Sequence, residues 1–211
     1  MYVPAHFAEA DRGVLLGLIR DFPLATLVIA GADGLEANHL PLVAEERDGT
    51  LVLCGHLARG NPAWRQVDPA AEALAVFAGP SAYVTPAWYP GKAEHGMVVP
   101  TYNYAAVHAY GRIRLVSEAA ALRRHVDTLT RHFEAGRPQP WAVADAPADY
   151  LDKMLAAIVG VEFSVTRLVG KNKASQNRNG ADREGVRRGL AAGDAGERRA
   201  AALIPAPGGA P

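Results

Sequence analysis

Residues 79–111, GPSAYVTPAWYPGKAEHGMVVPTYNYAAVHAYG, hold five of the chain's seven tyrosines (Tyr83, Tyr89, Tyr102, Tyr104 and Tyr110) together with Trp88. Lys92 and Glu94 are its only formal charges, and Pro80, Pro86, Pro90 and Pro100 punctuate it. The stretch reads as a strand over Ala82 to Trp88, a proline-broken connection, and strands from about Thr101 to Val107 and from Ala109 to Val116. A plain core strand has no use for so many polar-tipped rings beside prolines. Aromatic faces with hydroxyl and amide handles suit a flat, partly polar ligand, or a wet and specific interface.

Strand signals continue upstream. Leu24 to Ala30 is an apolar, β-branched run, Gly31–Gly34 is a turn, and Leu35 to Ala44 is a second strand, so the pair predicts a hairpin. Asp48-Gly49 turns the chain into a third strand, Thr50 to Leu57. A short helix follows at about Pro62 to Val67, and another strand at Ala73 to Ala78. Helical patterns lie outside this block: about Ala8 to Asp21, stopped by Pro23, then Glu118 to Phe133 and Asp149 to Ala157. A last strand, Val161 to Leu168, alternates Val161, Phe163, Val165 and Arg167 against Glu162, Ser164, Thr166 and Leu168. Strands joined by turns, with helices at both ends and one long crossover, predict an α+β fold: an antiparallel barrel decorated with helices. Parallel βαβ alternation and any GxGxxG are missing, which argues against a Rossmann domain.

At 211 residues, 49% hydrophobic and 21% charged, the chain is sized for one domain, or one with an extension. No apolar run approaches the roughly 18 residues of a membrane span, and the N-terminus lacks a signal-peptide pattern. The single cysteine, Cys54, excludes an internal disulfide and reads as a buried, inert thiol. A cytoplasmic location is therefore expected. Formal net charge is zero, whereas a protein that grips phosphate backbones carries a positive excess. The arginine run at Arg183, Arg187, Arg188, Arg198 and Arg199 is interrupted by Glu184, Asp194 and Glu197, and reads as a solvated helical face.

Two further segments can carry chemistry. Gly55-His56-Leu57-Ala58-Arg59-Gly60-Asn61-Pro62 leaves a strand and enters a helix, with Asn61 suited to the N-cap and Pro62 to the first turn. Helix-end amides, the Arg59 fork and a glycine that allows close approach would cradle a phosphate monoester, with His56 adding a donor. The same residues also read as an ordinary capped helix beside a solvent-facing arginine. Lys171 to Arg178 (KNKASQNR) follows the last strand. Its Ser, Gln and Asn can meet the edge of a heterocycle and its cations an anion; it also reads as a solvated loop. In the opening stretch Thr85, Thr101 and Asn103 add polar contacts, while His95 and His108 read as structural or surface histidines. The seven histidines show no metal-ligand spacing, so no metal site is expected. No GxSxG or Walker A pattern supports a hydrolase or kinase, and no catalytic residue is assigned.

MYVPAHF at the start, NHLPL at Asn38 to Leu42, GHLARGNPAW, GPSAYVTPAWY, VPTYNYAAVHAYG and KASQNR occur in an order that resembles the PaiB family. Its members are described as FMN-binding negative transcriptional regulators with a split-barrel fold related to pyridoxamine-phosphate oxidases. The resemblance spans Met1 to about Leu190. It implies an FMN-binding split-barrel domain over 1–178; a C-terminal helical extension is expected over 179–204, and the Pro/Gly/Ala-rich 205–211 reads as a disordered tail. It also implies a homodimer with flavin at the subunit interface. The phosphate is expected at His56, Arg59, Gly60 and Asn61, and the ring at Tyr83, Thr85, Thr101 and Asn103. Lys173, Ser175, Gln176 and Asn177 are expected to close over the ring, from the same or the partner chain. Met97 and Asn172 depart from the family pattern, where a polar or basic residue and an aromatic are expected. The implied role is negative regulation of transcription, by direct or indirect contact with DNA or a regulatory protein. The alternative is an FMN-dependent oxidoreductase, because the same fold hosts both.

Overall fold

The computed structural model of the chain describes residues 1–32 and 34–205. The tip of the Gly31–Gly34 turn, Asp33, and the expected tail beyond Pro205 lie outside the described residues. Eight strands form one sheet: β1 (Ala8–Glu9), β2 (Leu24–Gly31), β3 (Gly34–Pro41), β4 (Val43–Arg47), β5 (Thr50–Ala58), β6 (Ala73–Val84), β7 (Thr101–Val116) and β8 (Ile158–Lys173). Six α-helices accompany them: α1 (Arg12–Asp21), α2 (Gly91–His95), α3 (Ala119–Glu134), α4 (Ala148–Ala156), α5 (Gly180–Ala191) and α6 (Ala195–Ala201). The strand order is β3-β2-β6-β7-β8-β5-β4, with β1 added beside β8. The β1–β8, β2–β3, β2–β6, β4–β5 and β5–β8 ladders are antiparallel. Among the described residues no ladder joins β3 to β4, so the sheet stays open. This is the α+β, antiparallel split-barrel class expected from the sequence.

The chain divides into two compact units. One comprises Ile19–Phe77 and His108–Leu168. Its hairpin runs in register from Leu24↔Pro41 to Gly31↔Gly34, and β2 turns Ala25, Leu27 and Ile29 inward by simple alternation. Asp48 and Gly49 both take positive φ, 50° and 75°, which makes the tight turn that sets the β4–β5 register. On β8, Val159, Val161 and Phe163 are buried, as the alternation predicts for the last two. α3 begins where Glu118 caps it, its carboxylate accepting from the N–H groups of Ala120 (2.9 Å) and Ala121 (2.7 Å). Those bonds pull the Glu118 pKa below the usual range. Leu122 of α3 packs with Val116, Val143, Leu151 and Leu155 in a satellite core.

The other unit comprises Met1–Leu18, Ala78–Val107 and the chain from Val169 onward. Its core joins Ala82, Val84 and Tyr89 to Val186 and Leu190 of α5 and to Ala200 of α6. Burying side chains of this kind contributes about 1.5–3 kcal/mol for each large one. α5 is capped by Asn179, whose Oδ1 accepts from the Asp182 N–H at 2.8 Å. The buried Asp182 carboxylate in turn accepts from the Gly91 N–H at 3.0 Å and pins the start of α2. Gly185 and Gly189 let α5 lie on Trp88: a Cβ on Gly189 would stand 2.3 Å from the indole.

Several boundaries differ from the sequence reading. The first helix starts at Arg12, where Asp11 accepts from the Val14 N–H, and Ala8–Glu9 instead pairs with β8. The strand expected over Leu35 to Ala44 breaks at the fully buried Leu42 into β3 and β4. The runs 73–78 and 82–88 form one strand through Gly79-Pro80, ending at Val84; Pro86–Trp88 is a 3-10 turn. A glycine is needed there because a Cβ on Gly79 would press on Leu18 and Ala105. The two strands expected between Thr101 and Val116 are one, and the last strand continues to Lys173. The helix after Asn61 is a five-residue 3-10 turn, Pro62–Gln66.

Candidate functional site

At the start of β7 and the end of β8 the chain gathers four of the expected residues: Thr101 and Asn103 on β7, Lys173 on β8 and Ser175 just beyond it. Lys173 Nζ donates to Thr101 Oγ1 and, at 2.5 Å, to the Tyr102 carbonyl. Among the described residues Lys173 pairs with no carboxylate. Burial, then the positive charges of Lys171 and Arg178, lower its pKa. Lys171 donates to the Tyr2 carbonyl and lies 5.1 Å from the Tyr104 ring, and Arg178 lies 4.9 Å from the Tyr89 ring. This side of the unit is a patch of positive potential floored by aromatic rings. Tyr83 and Tyr102 are 51% and 54% exposed and form an edge-to-face pair with centroids 6.5 Å apart.

Asn103 and Ser175 lie deeper. Asn103 is wholly buried, and its Nδ2 donates to Ser175 Oγ at 3.0 Å. Ser175 takes φ 62°, an uncommon conformation for a residue with a Cβ, at the point where the chain leaves β8. The pair therefore orders the turn and is not open to a ligand. Gln176 closes the same turn, accepting from the Ala174 N–H and donating to the Asn172 carbonyl, both at 2.7 Å. Asn177 is exposed. Thr85 caps the 3-10 turn by accepting from the Ala87 N–H at 3.2 Å. Of the two departures, Met97 is exposed, and the Asn172 amide donates to the Leu203 carbonyl near the C-terminal helices.

The residues expected at the phosphate do not converge on one point. His56 Nδ1 meets His125 Nε2 at 3.2 Å on α3. Arg59 donates from Nε to the Ala156 carbonyl (2.7 Å) and from Nη2 to that of Ile158 (2.9 Å), at the junction of α4 and β8. Asn61 caps the 3-10 turn through the Ala63 N–H and donates to Asn38 Oδ1 at 2.7 Å. Gly60 is open: a Cβ there would touch nothing. Among the described residues Arg59 Nη1 has no hydrogen-bond partner, so part of its fork remains for an anion.

The sequence reading named Tyr102 and Lys171 within candidate segments but gave neither a contact, and it missed Asp182 and the Arg47–Glu162–Arg114 network in the other unit. The Asn179-x-x-Asp182 spacing is a capping signature that points to Asp182. Glu162 carries no such signal, because its partner Arg47 is 115 positions away. Among the described residues no group of three His, Cys, Asp or Glu side chains could hold a metal ion.

Fold and residues define a class: an α+β split-barrel chain with an aromatic, positively charged patch. A family described as "Putative FMN-binding domain" matches residues 1–167, and the chain belongs to this family, the PaiB family. FMN is the cofactor that the family gives it. The chain is 36% identical over 222 residues to an uncharacterised protein of Emericella nidulans, covering 88% of each chain. It is 31% identical over 182 residues to the Protease synthase and sporulation protein PAI 2 of Bacillus subtilis, covering 86% of this chain and 85% of that one. In fold it is similar to the FAD and heme binding protein of Mycobacterium smegmatis, with TM-score 0.59 and 21% identity over 79% of this chain and 73% of the other.

The donor chemistry fits FMN. A half-buried ammonium without a carboxylate suits the hydrogen-bond-accepting carbonyls and nitrogens of a planar flavin ring, and the open Arg59–Gly60 turn suits a phosphate dianion. Among the described residues no helix is long and apolar enough to cross a membrane.

Proposed function

We propose that the chain is an FMN-binding regulatory protein of the PaiB type, acting in the cytoplasm as a homodimer and reducing transcription indirectly. The observation that carries the flavin half is the Lys173 ammonium, held by Thr101 and the Tyr102 carbonyl, 5.8 Å from the Phe7 ring and, among the described residues, unpaired by acid. Lys173, Thr101, Tyr83 and Tyr102 orient the ring, with Thr85, Gln176 and Asn177 at its margin. Asn103 and Ser175 act beneath them by fixing the turn. Arg59, Gly60 and Asn61 meet the phosphate, and His56 stands behind them against His125. Bound flavin supplies hydride and single-electron chemistry; the chain's residues bind it, hold its orientation and exclude water.

An indirect route is supported by the charge distribution. Formal net charge is zero, and in α5 Arg187 is already tied to Glu184 by two hydrogen bonds, 2.8 and 2.7 Å. The regulatory half rests on membership of the PaiB family, whose members are described as negative transcriptional regulators. Two measurements test the reading. Lys173→Ala should weaken FMN about tenfold or more, the loss of one charge-assisted contact; unchanged affinity removes the ring assignment. A DNA shift assay at low and physiological salt should show no specific complex. A tight, sequence-specific complex would make the regulation direct.

A further inference from the structure

A cavity of about 420 Å³ opens in the unit formed by Ile19–Phe77 and His108–Leu168. None of the residues assigned to the flavin lines it. Its volume falls within the roughly 300–1,000 Å³ of small-molecule sites. Val116, Leu122 and Val161 give it an apolar surface, and β4, β7, β8 and α3 add charged and polar groups.

The charged wall is already ordered. Arg47 donates to Glu45 from Nε (2.9 Å) and Nη2 (2.6 Å), to Glu162 from Nη1 (2.6 Å), and to Cys54 Sγ (3.2 Å). Arg114 donates to the second oxygen of Glu162, whose side chain is only 18% exposed. Both lining carboxylates, Glu45 and Glu162, are thus paired with guanidiniums, which leaves no free acid to attract a cation. The lining arginines are Arg47, Arg114 and Arg124, so positive charge is in excess. Among the described residues the exposed Arg124 makes no ion pair or hydrogen bond at contact distance, and the nearby charge it feels is that of Glu118, whose carboxylate already accepts from two N–H groups at the start of α3. His125, held from behind by His56 through Nε2, keeps its Nδ1 for another partner.

We propose that this cavity binds a small organic acid, its oxyanion on Arg124 and Arg114 beside His125 and its apolar body against Val116, Leu122 and Val161. The site shares no lining residue with those assigned to the flavin, although His125 meets His56 at its edge, and its test does not depend on the flavin reading. Exposed ion pairs alone contribute little to stability. Here paired charges, a spare guanidinium and an apolar floor converge on one space of ligand size, the combination that marks binding sites.

Calorimetric titration of the full chain with benzoate, phenyl phosphate and benzyl alcohol, with and without saturating FMN, tests this. At least one of the two acids should bind saturably, about tenfold or more tighter than the alcohol, and equally well with FMN present. Whichever acid binds better identifies the oxyanion as carboxylate or phosphate. Arg124→Ala should weaken the acid about tenfold, and Ala121→Trp, which fills the space, should abolish its binding. FMN affinity should not change in either variant. The proposal is overturned by absent binding of both acids, by equal binding of the alcohol, by competition with FMN, or by an unaltered affinity in Arg124→Ala.

Discussion

Asn103→Ala isolates the buried pair that orders the turn beneath the flavin residues. Asn103 is fully buried and Ser175 is 3% exposed, so neither can exchange its partner for water. Removing the amide deletes both contacts of the pair, Asn103 Nδ2 to Ser175 Oγ at 3.0 Å and Ser175 Oγ to Asn103 Oδ1 at 3.3 Å, and leaves that hydroxyl buried without its partner. A buried polar group so abandoned costs about 1–3 kcal/mol, and for a chain of this size each kcal/mol lowers Tm by about 2–4 °C. Urea unfolding followed by tryptophan fluorescence measures the loss directly. Ser175→Ala should cost at least as much as Asn103→Ala, because it leaves the fully buried Asn103 amide without its partner while the strained φ of 62° persists. In the double variant the two losses should fall short of their sum by about 0.5–1.5 kcal/mol, the coupling expected of one hydrogen bond. Losses for Asn103→Ala below about 0.5 kcal/mol, the range of inert surface changes, would refute the reasoning. So would full additivity of the two substitutions.

Arg59→Ala should weaken FMN far more than riboflavin, because only FMN carries the phosphate, and equal losses would move the phosphate elsewhere. The same change removes two bonds to backbone carbonyls, so it should also cost about 1–3 kcal/mol of stability in urea. Burial, then the His56 charge, lowers the His125 pKa from 6.5 to about 4, and burial lowers that of His56. The unfolded chain therefore binds more protons between about pH 4 and 6.5, so stability should fall as pH drops through that window and stay flat above it. His125→Gln should flatten the profile; an unchanged slope would contradict the neutral pair. Gly189→Ala places a methyl against the Trp88 indole and should destabilise by about 1–3 kcal/mol with altered tryptophan emission. Wild-type stability and emission would show that α5 does not hold the 86–88 turn.

Local chemistry made much of this fold legible. Asp48-Gly49 and Asn61-Pro62 announce a turn and a cap through backbone freedom and side chain, and each stands where the sequence reading put it, while Glu118, read as the first helical residue, caps the helix from one position before it. Long-range packing overrode the local signals elsewhere. Gly79-Pro80 reads as a break, yet neighbours that tolerate a missing N–H and need a missing Cβ carry β6 straight through it. Lys173 reads as a loop residue, but pairing extends β8 to include it and brings its ammonium to Thr101. The residue types of the candidate site were visible as tyrosines, threonines and a lysine. Which of them would be surface and which foundation was not, because burial of Asn103 and Ser175 depends on partners 72 positions apart. The cavity network was invisible for the same reason: β4, β7, β8 and α3 contribute to it from separate parts of the chain.

The most direct test of the central claim is a titration of the flavin-stripped protein with FMN, followed by visible absorption and flavin fluorescence, with the bound ligand recovered and identified after denaturation. The account predicts saturable binding that perturbs the flavin spectrum, recovery of intact FMN, and about tenfold or greater weakening in Lys173→Ala. A folded protein that stays colourless and leaves the FMN signal unchanged at saturating concentration would contradict it.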